Sequence, residues 1–203
     1  MKIFGRKKMD TLEARLEKLA SIGVHLAPDR TVDELLESWS REDLEGGSLF
    51  HLIVALGLEV ETGHNAGAHY TDQLFTLDTE CIEDRGDYAR VFRGLERLFQ
   101  GEIPLEDLED EVDIKQGRAS ISFKAHEQAF EYSFEQDDDW LSAEAIGFWG
   151  SVVNGIRQRD PEKITRVMGS FTDGGQGVVF VCLRPIEMKR FRKLTGIDID
   201  VFC

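Results

Sequence analysis

The spacing of hydrophobic residues changes near residue 112, and this change constrains the fold more than any other feature of the sequence. Before it, apolar residues recur mainly three and four positions apart, which is typical of amphipathic helices. Between residues 112 and 134 they alternate with polar residues, as in strands with one buried face. A chain of 203 residues that carries both patterns can bury a large core, so it needs no disulfide or metal to fold.

Four helices are indicated before this change. The first is predicted over 11–22 with Asp10 as its cap, and the second begins at Thr31, the first residue of a capping box. The run LFHLIVALG, residues 49–57, is apolar on nearly every side, so periodicity alone does not separate a buried helix from a buried strand. We favour a helix for this run. The clearest helix spans residues 87–100, whose apolar residues follow the helical template.

Strands dominate the second half of the chain. Residues 112–134 predict an antiparallel meander of three strands, with turns at Gln116-Gly117 and around 126–128. Further strands are predicted near 73–82, 163–183 and 197–202.

The order of these elements predicts the fold class. Helices beginning at Ser142 and Pro185 interrupt the strands, but there is no regular β-α-β alternation. The sequence therefore predicts an α+β fold, in which an antiparallel or mixed sheet has helices packed on one face. We expect one domain over residues 1–203, with a helical segment at residues 1–57 packing on it.

The chain is strongly acidic. It has 39 Asp and Glu residues against 24 Lys and Arg, which gives a formal charge of −15. Such a charge repels phosphate backbones and anionic bilayers within about one Debye length. The clusters of basic residues near the two ends of the chain are not interleaved with a platform of aromatic residues that would stack on bases. The composition thus argues against nucleic acid and membrane as partners.

The cysteines indicate a reducing compartment. Cys81, Cys182 and Cys203 are odd in number and form no C-x-x-C pair, so no disulfide framework is predicted. The first ten residues carry positive charge but no apolar core of a secretory signal, and the apolar runs are too short to cross a bilayer. We therefore expect a cytoplasmic protein. Its oligomeric state is left open by the sequence.

A histidine-containing stretch is one candidate for chemistry. His64 and His69 lie five residues apart in a glycine-containing loop, and Asp78 and Glu80 follow on a predicted strand, where side chains two apart share a face. Imidazoles and carboxylates are ligands for divalent metals, but the spacing matches no closed zinc signature. These four residues define an alternative reading of the chain as a small metal-assisted hydrolase. The competing interpretation is a polar surface beside a loop that contains histidines.

Acidic residues are concentrated in two stretches, and these are the other candidate site. Residues 102–113 and 125–156 contain no Lys or Arg. The partner-binding residues predicted from them are Glu106, Asp107, Glu109, Asp110, Asp137, Asp138, Asp139 and Trp140. We expect both stretches to converge on one anionic face, with Trp140 as an aromatic anchor. The alternatives are that the acids only keep the chain soluble and that Trp140 fills the core.

A basic stripe stands apart from this acidic pattern. Arg90, Arg93 and Arg97 recur on one face of the predicted 87–100 helix, where they either receive an anionic ligand or pair with neighbouring acids. No G-x-S-x-G motif is present, and Cys81 has no neighbouring base that would activate its thiol. Nucleophilic catalysis is therefore not indicated.

These observations lead to one functional expectation. We expect a non-catalytic cytoplasmic binding or inhibitory protein that needs no cofactor and docks on a basic protein partner. It is analogous to bacterial immunity proteins in charge and size, although no motif of such a family is present.

Overall fold

The computed structural model describes residues 10–60 and 67–203, and within them it confirms the predicted α+β fold. The described residues form seven α-helices and two antiparallel sheets, one of four strands and one of three. The helices are α1 Leu12–Ala20, α2 Val32–Ser38, α3 Arg41–Gly46, α4 Leu49–Gly57, α5 Asp87–Leu98, α6 Ala143–Arg159 and α7 Pro185–Thr195. The strands are β1 Leu74–Asp78, β2 Leu105–Asp113, β3 Arg118–Ala125, β4 Gln128–Glu135, β5 Val167–Thr172, β6 Gly177–Leu183 and β7 Asp200–Val201.

The N-terminal helices form where the sequence pattern places them. Thr31 and Glu34 make the predicted capping box at the start of α2. The apolar run 49–57 is helical as favoured, and it is buried on most sides. The cap of α1 was predicted wrongly: the Thr11 hydroxyl, rather than Asp10, accepts the amide of Ala14 at 3.3 Å.

The four-stranded sheet, in the order β1-β6-β5-β7, is buried on both faces over most of β1 and β6, whereas both residues of the edge strand β7 are exposed. One face, which carries Leu74 and Val181, packs against the N-terminal helices and α7. The other face, which carries Phe75 and Phe180, packs against α5 and α6. The approach of α5 is so close that a Cβ atom on Gly94 would clash with the Phe75 ring. This sheet is therefore an interior layer.

The three-stranded sheet, in the order β2-β3-β4, has one buried and one open face. Its inward residues, such as Ile121 and Phe123, join the core with Phe92 of α5 and Trp149 of α6. The helices α5 and α6 thus lie between the two sheets. The single sheet with helices on one face was the expected arrangement, and the structure instead divides the strands into two sheets that share a helical layer.

The meander begins earlier than the alternation predicts. Strand β2 starts at Leu105 rather than near Val112. A bulge between Glu106 and Glu109, with Asp107 at a positive φ of 50°, breaks the alternation and hides the first half of the strand from sequence reading. Both predicted turns are present. No helix among the described residues is long and apolar enough to span a membrane.

Candidate functional site

The open face of the three-stranded sheet carries two rows of carboxylates. In β2, Glu109 and Glu111 lie opposite Ser122 and Ser120 of the central strand. In β4, Glu131 lies opposite the same Ser122 from the other side. Directly paired residues share a face of a sheet, and residues two apart in a strand do so too. The outward carboxylates, which we name the acidic sheet face, are Glu106, Glu109, Glu111, Asp113, Glu131 and Glu135.

The centre of this face is small and polar. The outward residues of β3 include Ser120 and Ser122, and Ser133 of β4 lies opposite Ser120. A shallow cavity of about 560 Å³ lies at one end of this face, and the polar side chains that line it are Arg85, Glu111, Asp113, Arg118, Ser120 and Ser133. The carboxylates of this end therefore stand beside two arginines, whereas short serine side chains separate the two rows along the middle of the face.

The charges on this face are largely uncompensated. None of the six carboxylates of the acidic sheet face forms an ion pair within the described parts of the chain. Two basic residues, Arg118 and Lys124, share the face. Lys124 is already paired with Asp107 at 2.6 Å, and this hydrogen bond raises the pKa of its ammonium group. The face is therefore strongly negative.

Asp110 does not belong to the acidic sheet face, which corrects its predicted role in partner binding. It points inward and is only 4% exposed. Its carboxylate accepts the amide of Gly86 at 2.9 Å and that of Tyr88 at 3.0 Å, at the start of α5. The helix N-terminus favours a negative charge, and its first residues have no side-chain cap of their own. Asp110 is thus a cap supplied from β2.

The run Asp137, Asp138, Asp139 and Trp140 forms an exposed loop directly after β4. Buried Gln136 holds it in place, because its amide nitrogen donates to the carbonyls of Asp138 at 2.6 Å and Trp140 at 2.8 Å. Trp140 is 40% exposed, so it does not fill the core. The three aspartates and the indole are presented to solvent on a fixed backbone.

This loop and the acidic sheet face are neighbouring surfaces rather than one plane. The loop packs beside the segment that follows β1, where Ile82 donates to the Asp139 carbonyl at 3.0 Å and Leu141 donates to the Thr79 carbonyl at 2.7 Å. The structure therefore brings the acids of β2 together with those of β4, as expected, but places 137–140 beyond the end of the sheet.

The residues of the alternative metal reading are only partly described. His64 lies outside the described residues. His69 packs beside Phe75 with ring centroids 6.1 Å apart, near the start of β1. Asp78 ends the same strand three residues later, roughly 10 Å along it at the usual rise of a strand. Among the described residues no group of three His, Cys, Asp or Glu side chains is arranged to hold a metal.

His69 and Cys81 have environments that disfavour charge. Burial, followed by the nearby Arg97 guanidinium, lowers the pKa of His69 from 6.5 to about 4. Burial raises the pKa of the Cys81 thiol to about 11, despite the attraction of Arg90. A thiol that stays protonated is a poor nucleophile, so Cys81 behaves as a small apolar residue.

The arginine stripe of α5 is occupied internally. Arg97 is mostly buried and donates to the carbonyls of Thr71 and Leu74, while Arg93 pairs with Glu96 at 2.7 Å. Arg90 donates to the Cys81 carbonyl at 3.3 Å. The stripe therefore pairs with neighbouring groups, as the second interpretation expected, and holds α5 against its surroundings.

Four members of the acidic sheet face were absent from the predicted binding residues: Glu111, Asp113, Glu131 and Glu135. The period-two alternation of β4 already places Glu131 and Glu135 opposite the apolar residues, so that signal was available. In β2 the alternation is harder to see, because an acid, Asp110, occupies the inward position between Glu109 and Glu111.

Comparison of the chain with protein-family models, with curated proteins and with solved structures finds no match. The site is therefore interpreted from its own chemistry.

Proposed function

We propose that this chain is a cytoplasmic, non-catalytic binding protein that docks on a basic protein partner through the acidic sheet face. The observation that carries the proposal is the alignment of six carboxylates on the open face of one sheet, from two separate stretches of sequence, with no ion-pair partner among the described residues. Binding would neutralise or regulate the partner, as an inhibitory or immunity protein does.

Electrostatics explains why such a face favours a protein with basic residues. A concentrated negative potential speeds encounter with a cationic surface and disfavours anionic competitors. The acids stand on strands, whose backbones are fixed before binding, so little backbone conformational entropy is lost on docking. The small residues between them, such as Ser120 and Ser122, leave space for the long side chains of Lys or Arg.

The Asp137–Asp139 loop with Trp140 supports the proposal as a second contact region. An exposed indole beside three carboxylates offers an aromatic anchor with a charged rim, which is the usual composition of an energetically important interface region. Gln136 holds the backbone of this loop, so the position of Trp140 on the surface is set before a partner binds.

The proposal is tested by capture from a lysate of the source organism, followed by affinity measurement on the recovered partner. The test variant changes Glu109, Glu111, Glu131 and Glu135 to Gln on the acidic sheet face. The matched control changes four exposed glutamates elsewhere to Gln, namely Glu17, Glu37, Glu42 and Glu162. Both variants remove four negative charges. Any difference in affinity between them therefore depends on where the charges lie and not on the net charge of the protein.

We expect the recovered partner to be basic and its Kd to rise about tenfold or more with the test variant, since several charge contacts are lost together. The control should change the Kd by less than about twofold. Equal affinity of both variants, or a partner without a basic surface, would contradict the proposal.

A further inference from the structure

Strand β4 is an open edge of the three-stranded sheet. It pairs with β3 on one side only, and no other strand among the described residues pairs with its outer side; just after the strand, Gln136 continues the pairing on the β3 side by donating to the Gly117 carbonyl. A strand edge with unpaired amides and carbonyls is a template for another extended segment.

The hairpin geometry identifies which backbone groups are free. Strands β3 and β4 are joined by the two residues His126 and Glu127, both at positive φ, as a type I′ turn requires. The residues that flank such a turn, Ala125 and Gln128, form a hydrogen-bonded pair, and bonded and non-bonded pairs alternate from there. The outward-pointing amides and carbonyls of β4 therefore belong to Ala129, Glu131, Ser133 and Glu135.

The two sides of this edge differ in chemistry. On the open side stand Glu131 and Glu135 of the acidic sheet face. On the inner side, half-buried Phe130 and Tyr132 line the edge, and Tyr132 stacks on Phe148 of α6 with ring centroids 5.0 Å apart. A segment laid along β4 would meet carboxylates with every second side chain and aromatic rings with the others.

We infer that the basic partner of the proposed function adds an extended segment to β4 as an antiparallel strand, with Lys or Arg alternating with apolar residues. The inference rests on the proposed function and specifies how the partner is held. The basic side chains face Glu131 and Glu135, the apolar ones cover Phe130 and Tyr132, and the segment's backbone pairs with the free groups of β4.

Charge argues for a basic segment over a second copy of this chain. Any antiparallel β4–β4 pair would bring Glu131 and Glu135 of both copies onto one face, and a pair centred on Ser133 would place Glu131 of one copy directly opposite Glu135 of the other. Like charges directly opposite on a sheet are destabilising, whereas Lys or Arg at the same positions is favourable.

The probe is a fluorescein-labelled peptide of four Lys-Val repeats, with binding followed by fluorescence anisotropy. Its reference is a peptide of the same composition with all lysines first, which cannot place them on one side of a strand. The test variant is Ser133→Pro, which removes an outward amide without breaking a bond to β3, and Ala129→Pro is a second variant of the same kind. Ser133→Ala is the matched control.

We expect the alternating peptide to bind more tightly than the reference, and Ser133→Pro to weaken it about tenfold while Ser133→Ala changes it by less than about twofold. Methylating the peptide amides gives a test that leaves the protein intact. Directly opposite residues of a bonded antiparallel pair exchange both hydrogen bonds, so N-methylation of the lysines should abolish binding and N-methylation of the valines should not.

Three results would overturn the inference. They are equal binding of both peptides, equal binding by wild type and the folded proline variants, and a dimer of this chain that Ser133→Pro converts to a monomer. If the proline variants keep the recovered partner's affinity while the Gln variant of the acidic sheet face loses it, strand addition fails and the proposed function stands. If the Gln variant also keeps it, the proposed function fails.

Discussion

The two sheets of this molecule use their faces differently. In the four-stranded sheet, β6 is buried from Val179 through Leu183, because helices cover both of its faces. In the three-stranded sheet, β3 alternates between buried and exposed residues, because α5 and α6 cover one face only. The first sheet is thus a core element, and the second has a face available for a partner.

The two sheets also differ in how their polar side chains are paired. The one polar side chain buried within β1, Thr76, donates its hydroxyl to the Val54 carbonyl at 3.0 Å. On the three-stranded sheet, by contrast, Glu109 and Glu111 stand next to each other on the outer face, and neither forms an ion pair within residues 10–60 and 67–203. Like charges so close cost stability, which suits a role in binding better than a role in folding.

The largest expected effect comes from the core sheet. Phe180 is 1% exposed in β6, so Phe180→Ala should lower the free energy of unfolding by about 3–5 kcal/mol through lost burial and a cavity. Ser122→Ala, on the open face, should change it by less than about 0.5 kcal/mol. Urea denaturation of both variants measures the difference. A similar loss of unfolding free energy in both variants would contradict the distinction between a core sheet and a sheet with an open face.

Asp110 gives the next largest effect, because it is the one acid of β2 that belongs to the core. Asp110→Ala leaves the Gly86 and Tyr88 amides without their acceptor and should cost about 2–3 kcal/mol. Asp110→Asn retains an oxygen acceptor and should cost about 1 kcal/mol. Glu109→Ala on the same strand should be nearly neutral to unfolding. A neutral Asp110→Ala would contradict the capping role.

Much of the fold could be predicted from the sequence because local signals agreed with the packing. Capping at Thr31 and the alternation after residue 112 both led to the observed elements. The division into two sheets could not be predicted, since strand order depends on long-range pairing, such as that of β1 with β6 across about half of the chain. The β2 bulge also has no clear local signal.

Acidic pH should destabilise the packing of His69 beside β1. The folded-state pKa of His69 is about 4 against an ordinary 6.5, so the unfolded chain binds the proton first as the pH falls. The contribution of neutral His69 to the free energy of unfolding is therefore fully present above about pH 6.5, and it is lost as the pH falls toward 4. Because the ring is partly exposed, we expect a loss of about 1–2 kcal/mol. Urea denaturation at several pH values should show that His69→Gln flattens this decline.

His25→Gln, which changes an exposed histidine, is the control for this pH series. A decline in His69→Gln that matches wild type would show that the carboxylates alone account for the acid sensitivity.

The smallest effect concerns the acidic sheet face itself. Glu109→Gln with Glu111→Gln should raise the free energy of unfolding by up to about 0.5 kcal/mol at low salt, since like charges on one strand face are relieved. Thermal melts at low and at high salt measure this gain, which salt should remove. A destabilised double variant would mean that these carboxylates hold structure.

The candidate site was less predictable than the fold. Acidic composition identified the right stretches, and the alternation in β4 places Glu131 on the open face. Composition could not separate Asp110, which is buried against α5, from Glu109, which is exposed beside it, because the two differ only in the face that the bulge gives them. Sequence also could not show that Asp107 pairs with Lys124.

The most direct test of the acidic sheet face is the association rate constant of the recovered partner, measured by stopped flow over a range of ionic strengths. For wild type, the association rate constant should fall steeply as the salt concentration rises. The control variant, which is changed at Glu17, Glu37, Glu42 and Glu162, should show the same steep fall. The Gln variant of the acidic sheet face should associate more slowly at low salt and show a much shallower slope. The same steep slope in all three proteins would contradict docking through this face.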